Sequence, residues 1–165
     1  MNPALDSLGS IIEFSVGIAG FSAIVSAFLQ RAGGLDPISR FRVLNLLLMA
    51  LSPAFAAFLY VGLSQILADQ ALVLRWCAGI YALWYLLFLS YIQIGGINVS
   101  RDQPGAIHRP IYFVMVALAC LNVVIQSLLA AGVIPAQFAV FYFGLVLSLG
   151  QAVVMFIRLL LSDNT

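Results

Sequence analysis

Apolar residues in this chain neither alternate along strands nor form one-sided helical stripes; they come in long blocks. Five blocks exceed the ~20 residues that a bilayer core requires: Leu8–Gln30, Phe41–Leu67, Ala71–Ile94, Pro110–Ala131 and Ala136–Leu161. Inside lipid every backbone N–H and C=O must be bonded within the protein, so each block predicts a helix. The alternating ten-residue segments of a membrane β-barrel are absent. The predicted architecture is all-α, an integral membrane bundle of about five transmembrane helices forming one domain over residues 1–165.

Polar and special residues punctuate the blocks. Asp36-Pro37 reads as an N-cap followed by proline at the first helical position, which starts the second helix at Pro37. Asp69 can cap the third helix in the same way, and Pro110 and Pro135 sit where the fourth and fifth begin. Gly33-Gly34, Gly95-Gly96 and Gly132 are expected helix ends. The helices are thus predicted at about 8–30, 37–67, 71–94, 110–131 and 136–161. The second, at ~46 Å by helical rise, should tilt or project from the bilayer, and Pro53 should kink it.

Composition sharpens this. Hydrophobic residues make up 64% of the chain and charged residues 8%, against ~25% charged in soluble domains. The 7 basic residues are all arginine, which excludes a lysine Schiff base. A net charge of +1 excludes the dense basic face that nucleic acid requires. Cys77 and Cys120 fall at different depths of different spans, which argues against a disulfide between them.

The arginines also predict an orientation. Arg31, Arg40, Arg42, Arg101, Arg109 and Arg158 gather at one membrane face, and only Arg75 lies at the other. The positive-inside bias places the N-terminus outside and the C-terminus in the cytoplasm, as an odd number of spans needs. Met1–Ser10 contains no basic residue, so the first block is expected to stay as an anchor instead of being cleaved as a signal.

Candidate chemistry lies where the membrane interior is polar. Glu13 is the only Glu in the chain, about 8 Å inside the outer boundary by helical rise. Gly17 and Gly20 follow it on one helical face. Its carboxyl reads either as a proton or cation site or as a hydrogen-bonded clamp between helices. Ser15, Ala19, Ser22, Ala23, Ser26 and Ala27 make the same helix suited to close packing. Asn122 and Gln126 lie one turn apart on the fourth helix, above Met115 and Ala119. On the fifth, Gly144, Ser148, Gln151, Met155 and Arg158 share a face. Matching by depth gives an expected seam Glu13–Gln126–Asn122–Ser148–Gln151–Arg158, through which helices one, four and five would meet. It is open to reading as an ion pathway or as interhelical hydrogen bonding. Arg42, Asn45 and Ser52 align on the second helix. The third is aromatic, and the mid-span polar tips of Trp84 and Tyr85 need partners. The only histidine, His108, falls in a connection. No metal cluster, nucleophile elbow, phosphate loop or paired acids are present, so no enzyme activity, metal or cofactor is expected.

The run Glu13-Phe-Ser-Val-Gly-Ile-Ala-Gly-Phe-Ser-Ala-Ile-Val-Ser-Ala-Phe28, followed by Asp36-Pro-Ile-Ser-Arg-Phe-Arg42, resembles small bacterial multipass inner-membrane proteins of no assigned activity. The likeness covers roughly the first 60 residues. It implies a bacterial inner-membrane setting and matches Asp36 with Arg40 as a cytoplasmic pair at i,i+4 spacing. The expected role is a non-enzymatic module acting by helix packing, self-associating or held by a membrane-protein partner. The alternative is an oligomeric ion or proton pathway using Glu13 and the seam.

Overall fold

The computed structural model describes residues 3–31, 37–102 and 109–161. They form α1 (Pro3–Arg31), α2 (Pro37–Ile66), α3 (Gln70–Asp102), α4 (Arg109–Ala130) and α5 (Phe138–Leu161). Each contains a segment long and apolar enough to cross a membrane, so the all-helical architecture read from the sequence is observed, and the five helices are consistent with a multipass membrane protein. Gly33-Gly34, Asp36 and His108 lie outside the described residues, and with Asp36 goes its pairing with Arg40.

One expected boundary is corrected. α3 runs through Gly95-Gly96 to Asp102. Gly95 is a packing notch there and not a helix end: a Cβ on it would lie 2.9 Å from Cζ of Phe41, which reaches over from α2. The Phe41 ring also contacts Tyr91, with centroids 6.3 Å apart. Close approach of an aromatic ring explains a glycine inside a helix as well as a cap does.

Neighbouring helices in sequence pack together and α5 closes back on α1, while α2 and α5 also touch across the middle. α1 rests on α2 and α5 and on neither α3 nor α4. Its buried positions are Leu8, Ile11, Ser15, Ala19 and Ser22, a three-and-four spacing that sets one face against the bundle. Two of the α1 serines bond within the helix: Ser22 Oγ donates to Ile18 O at 2.6 Å and Ser26 Oγ to Ser22 O at 2.6 Å.

The interior has two apolar clusters. One joins Leu8, Tyr60, Val73, Cys77, Leu129 and Phe141 near one end of the bundle. The other joins Ala19, Val43, Leu46, Ile92, Ala152 and Leu159 near the opposite end. The outer surface is also apolar, with Phe14, Phe28, Phe113 and Leu87 exposed, while Asn45, Ser52, Asn122, Gln126, Ser148 and Gln151 are buried. Apolar side chains outward and polar ones inward invert the soluble pattern and suit lipid as the surrounding solvent. Cys77 is buried, Cys120 is exposed, and both are free.

Helix ends follow local chemistry. The Asp69 carboxylate accepts from Ala71 N at 2.9 Å and Leu72 N at 3.4 Å, capping α3. Gly132, at φ +73, ends α4. Its N–H donates to Leu129 O at 3.2 Å, and Val133 N–H donates to Leu128 O at 3.0 Å, the paired bonds of a left-handed C-terminal cap. The Arg75 guanidinium lies against Gly132, placing a cation at the negative end of the α4 dipole. A Gly132→Ala variant should therefore lose roughly 1–2 kcal/mol from left-handed strain alone, read as a lower unfolding midpoint in mixed micelles.

Candidate functional site

The polar side chains of α3, α4 and α5 converge between the two apolar clusters. Asn122 lies on the buried face of α4 with Met115, Ala119, Gln126 and Leu129, at the spacing of one helical stripe. Its Nδ2 donates to the carbonyl of Gly144 in α5 at 3.1 Å. One turn on, Gln126 Nε2 points between the carbonyls of Val140 and Phe141, at 3.5 Å from each. Both amides cross to α5 over Gly144. A Cβ at that position would lie 2.6 Å from Asn122 Oδ1 and closer still to Gln126 Nε2.

Further along α5, Tyr85 of α3 meets Ser148 and Gln151. Its hydroxyl donates to Gln151 Oε1 at 2.7 Å and lies 3.0 Å from Ser148 Oγ. Gln151 Nε2 in turn donates to Met115 O of α4 at 3.0 Å, so one glutamine ties three helices together. The Ser148 hydroxyl faces Met49 O of α2 at 3.5 Å. That carbonyl is available because residue 53, four positions on, is proline and has no N–H to return. α2 continues through Pro53 as a helix, and the bond the proline removes is replaced by a contact from another helix. On the next face, Trp84 Nε1 donates to Ser52 Oγ at 2.9 Å. The polar tips of Trp84 and Tyr85 thus have partners.

The expected seam is reshaped. Asn122, Gln126, Ser148 and Gln151 come together in one buried belt with Tyr81 and Tyr85. Glu13 does not join it. It is exposed on α1, and α1 makes no contact with α4. The meeting of helices one, four and five through Glu13 is therefore corrected within a single chain; α5 alone links α1 to α4. Arg158 is half-buried near the end of α5, close to Arg42 of α2, and lies beyond the belt. Arg40 is exposed at the start of α2. Among the described residues no group of three His, Cys, Asp or Glu could hold a metal.

Glu13 instead lines an open groove with Phe14, Gly17, Ile18 and Phe21 of α1 and Phe156 of α5. Phe21 and Phe156 close one side edge-to-face at 5.9 Å. Gly17 and Gly20 are exposed, and a Cβ on either would meet nothing within 4 Å. Set against protein-family models, curated proteins and solved structures, the chain matches none.

Two outcomes follow from the belt. Tyr85→Phe leaves Gln151 Oε1 without its donor and should cost about 1 kcal/mol, within the range for membrane hydrogen bonds. The Tyr85→Phe/Gln151→Leu pair should cost less than the two single changes summed, a coupling measured by a double-mutant unfolding cycle. Gly144→Ala should destabilise the bundle through its clash with both amides, where an unconstrained helical Gly→Ala gains about 1 kcal/mol; the same unfolding assay reads the sign.

Proposed function

We propose that the protein is a non-enzymatic membrane module that works by helix packing, joining a second copy of itself through the outward face of α1. The observation that carries this reading is the pairing of an exposed intramembrane carboxyl with two glycines that nothing among the described residues requires. A carboxyl facing hydrocarbon is costly unless it is paired, hydrogen-bonded or protonated. Mid-helix glycine costs about 1 kcal/mol relative to alanine, and neither Gly17 nor Gly20 accommodates a neighbour among the described residues. A helix from outside the chain, lying in the groove, would use both features: the glycines permit backbone approach and the carboxyl gains a hydrogen-bond partner. A symmetric parallel pair would bring Glu13 to the same depth in both copies.

In the setting proposed here, a bacterial inner membrane, the N-terminus is outside and the arginine-rich end cytoplasmic. An ion or proton pathway through Glu13 would in this arrangement follow the joint between copies and not the interior of one chain.

Single-cysteine variants at Val16 or Ile24, crosslinked in native membranes, should give a defined oligomer. Gly17→Leu and Glu13→Leu should weaken it at least several-fold while leaving the unfolding midpoint of the monomer near wild type. A wild-type protein that is monomeric at all densities in lipid would sink the reading. Proteoliposome flux under pH and voltage gradients should stay at background for wild type and Glu13→Gln alike; flux abolished by Glu13→Gln would favour the pathway instead.

A further inference from the structure

The groove between α1 and α5 has a size and a chemical character of its own. Glu13, Phe14, Gly17, Ile18 and Phe21 line it from α1, and Phe156 from α5. At about 100° per residue the five α1 positions fall within an arc of about 140°, and they cover about 12 Å of helical rise. Glu13 stands at one end. Phe21 and Phe156 meet edge-to-face at the other, and Gly17, one turn from each end, leaves the floor between them open. Phe14, next to Glu13 in sequence, and Phe21 are both well exposed. The space so bounded is about 600 Å³, within the ~300–1,000 Å³ of small-molecule sites.

Among the lining residues Glu13 alone carries an ionisable group, and the other side chains are apolar or absent. The arginines of the same two helices stand away from it. Arg31 lies about 27 Å further along α1 by helical rise. Arg158 lies past the Phe156 end, about 200° round α5 from Phe156 and close to Arg42 of α2. A carboxylate in apolar surroundings favours a positive partner. An inorganic cation fits poorly, because hard cations take about six or more oxygen ligands and the only side-chain oxygens lining the groove are those of Glu13. An organic ammonium or phosphonium carries its own apolar shell and needs no such ligand set. The faces of phenylalanine rings attract its charge. The ammonium of a phospholipid sits at headgroup level, whereas Glu13 lies inside the span Ala4–Phe28.

The geometry points to a binding site for a lipophilic organic cation, a quaternary ammonium or phosphonium. Its charge lies against the Glu13 carboxylate and the Phe14 ring, and its apolar substituents reach over Gly17 to Phe21 and Phe156. The inference rests on the preceding reading in taking the outward face of α1 as the working surface, and the cation and a second copy contend for the same groove. The site itself is complete in one chain.

The test is equilibrium binding of tritiated tetraphenylphosphonium to the full chain in dodecylmaltoside micelles, diluted so that no micelle holds a second copy. The expected result is saturable binding at a single site per chain. Glu13→Gln, which keeps the shape and removes the charge, should weaken it at least about ten-fold, and so should Gly17→Leu, which fills the floor and keeps the carboxyl. Both positions are exposed, so neither change disturbs the packed interior. Tetraphenylborate, of the same shape and opposite charge, should not compete. Wild-type binding no greater than that of Glu13→Gln would overturn the proposal, as would equal competition by tetraphenylborate. Crosslinking at Val16 or Ile24 without the cation reports association separately. A chain that binds the cation but stays monomeric in lipid leaves this site standing and removes the association; a defined oligomer of a chain that binds no cation does the reverse.

Discussion

Asn122 and Gln126 can reach the backbone of α5 only because residue 144 has no side chain. That single omission brings two amides onto three carbonyls and lets α4 and α5 approach. In water such bonds would compete with solvent; in hydrocarbon their alternative is an unsatisfied polar group. The rest of the belt depends on the register this sets. With α4 fixed against α5 at Gly144, Met115 O stands where Gln151 can donate to it, and Gln151 is held where Tyr85 finds an acceptor.

α2 enters the same arrangement by a different route. A proline inside a helix normally forfeits a backbone bond. Here the forfeited carbonyl, Met49 O, faces Ser148, so the irregularity in one helix becomes an attachment point for another. α2 and α5 touch across the middle of the bundle, and α1 leans on both. The outermost helix is thus positioned by contacts whose polar centre it never touches.

Much of this was legible beforehand, for physical reasons. Block length marked the spans, because a bilayer fixes the number of residues that cross it. Asp69 and Gly132 marked real ends, because capping chemistry is local. The inward faces of α4 and α5 could be read, because amides and hydroxyls in lipid have only one favourable direction. The direction of Glu13 could not be read that way. α1 has small residues on two opposite faces: Ser15, Ala19 and Ser22 turn in, while Gly17, Gly20 and Ala23 turn out. With hydrocarbon outside and apolar packing inside, periodicity does not say which face is which. Gly95 misled for a related reason. A glycine that ends a helix and one that admits a ring look identical until Phe41 is placed beside it.

Arg75 stands apart from the other arginines along the chain, and its position against Gly132 bears on how the protein is made. The start of α3 holds its guanidinium at the end of the bundle opposite Arg42 and Arg158. Its local counterpart, the carbonyl end of α4, exists only once the cap at Gly132 has formed. α3 and α4 constitute a hairpin whose second half supplies the partner of the first: the Arg75 guanidinium meets the carbonyl end of α4 only when both helices are folded side by side.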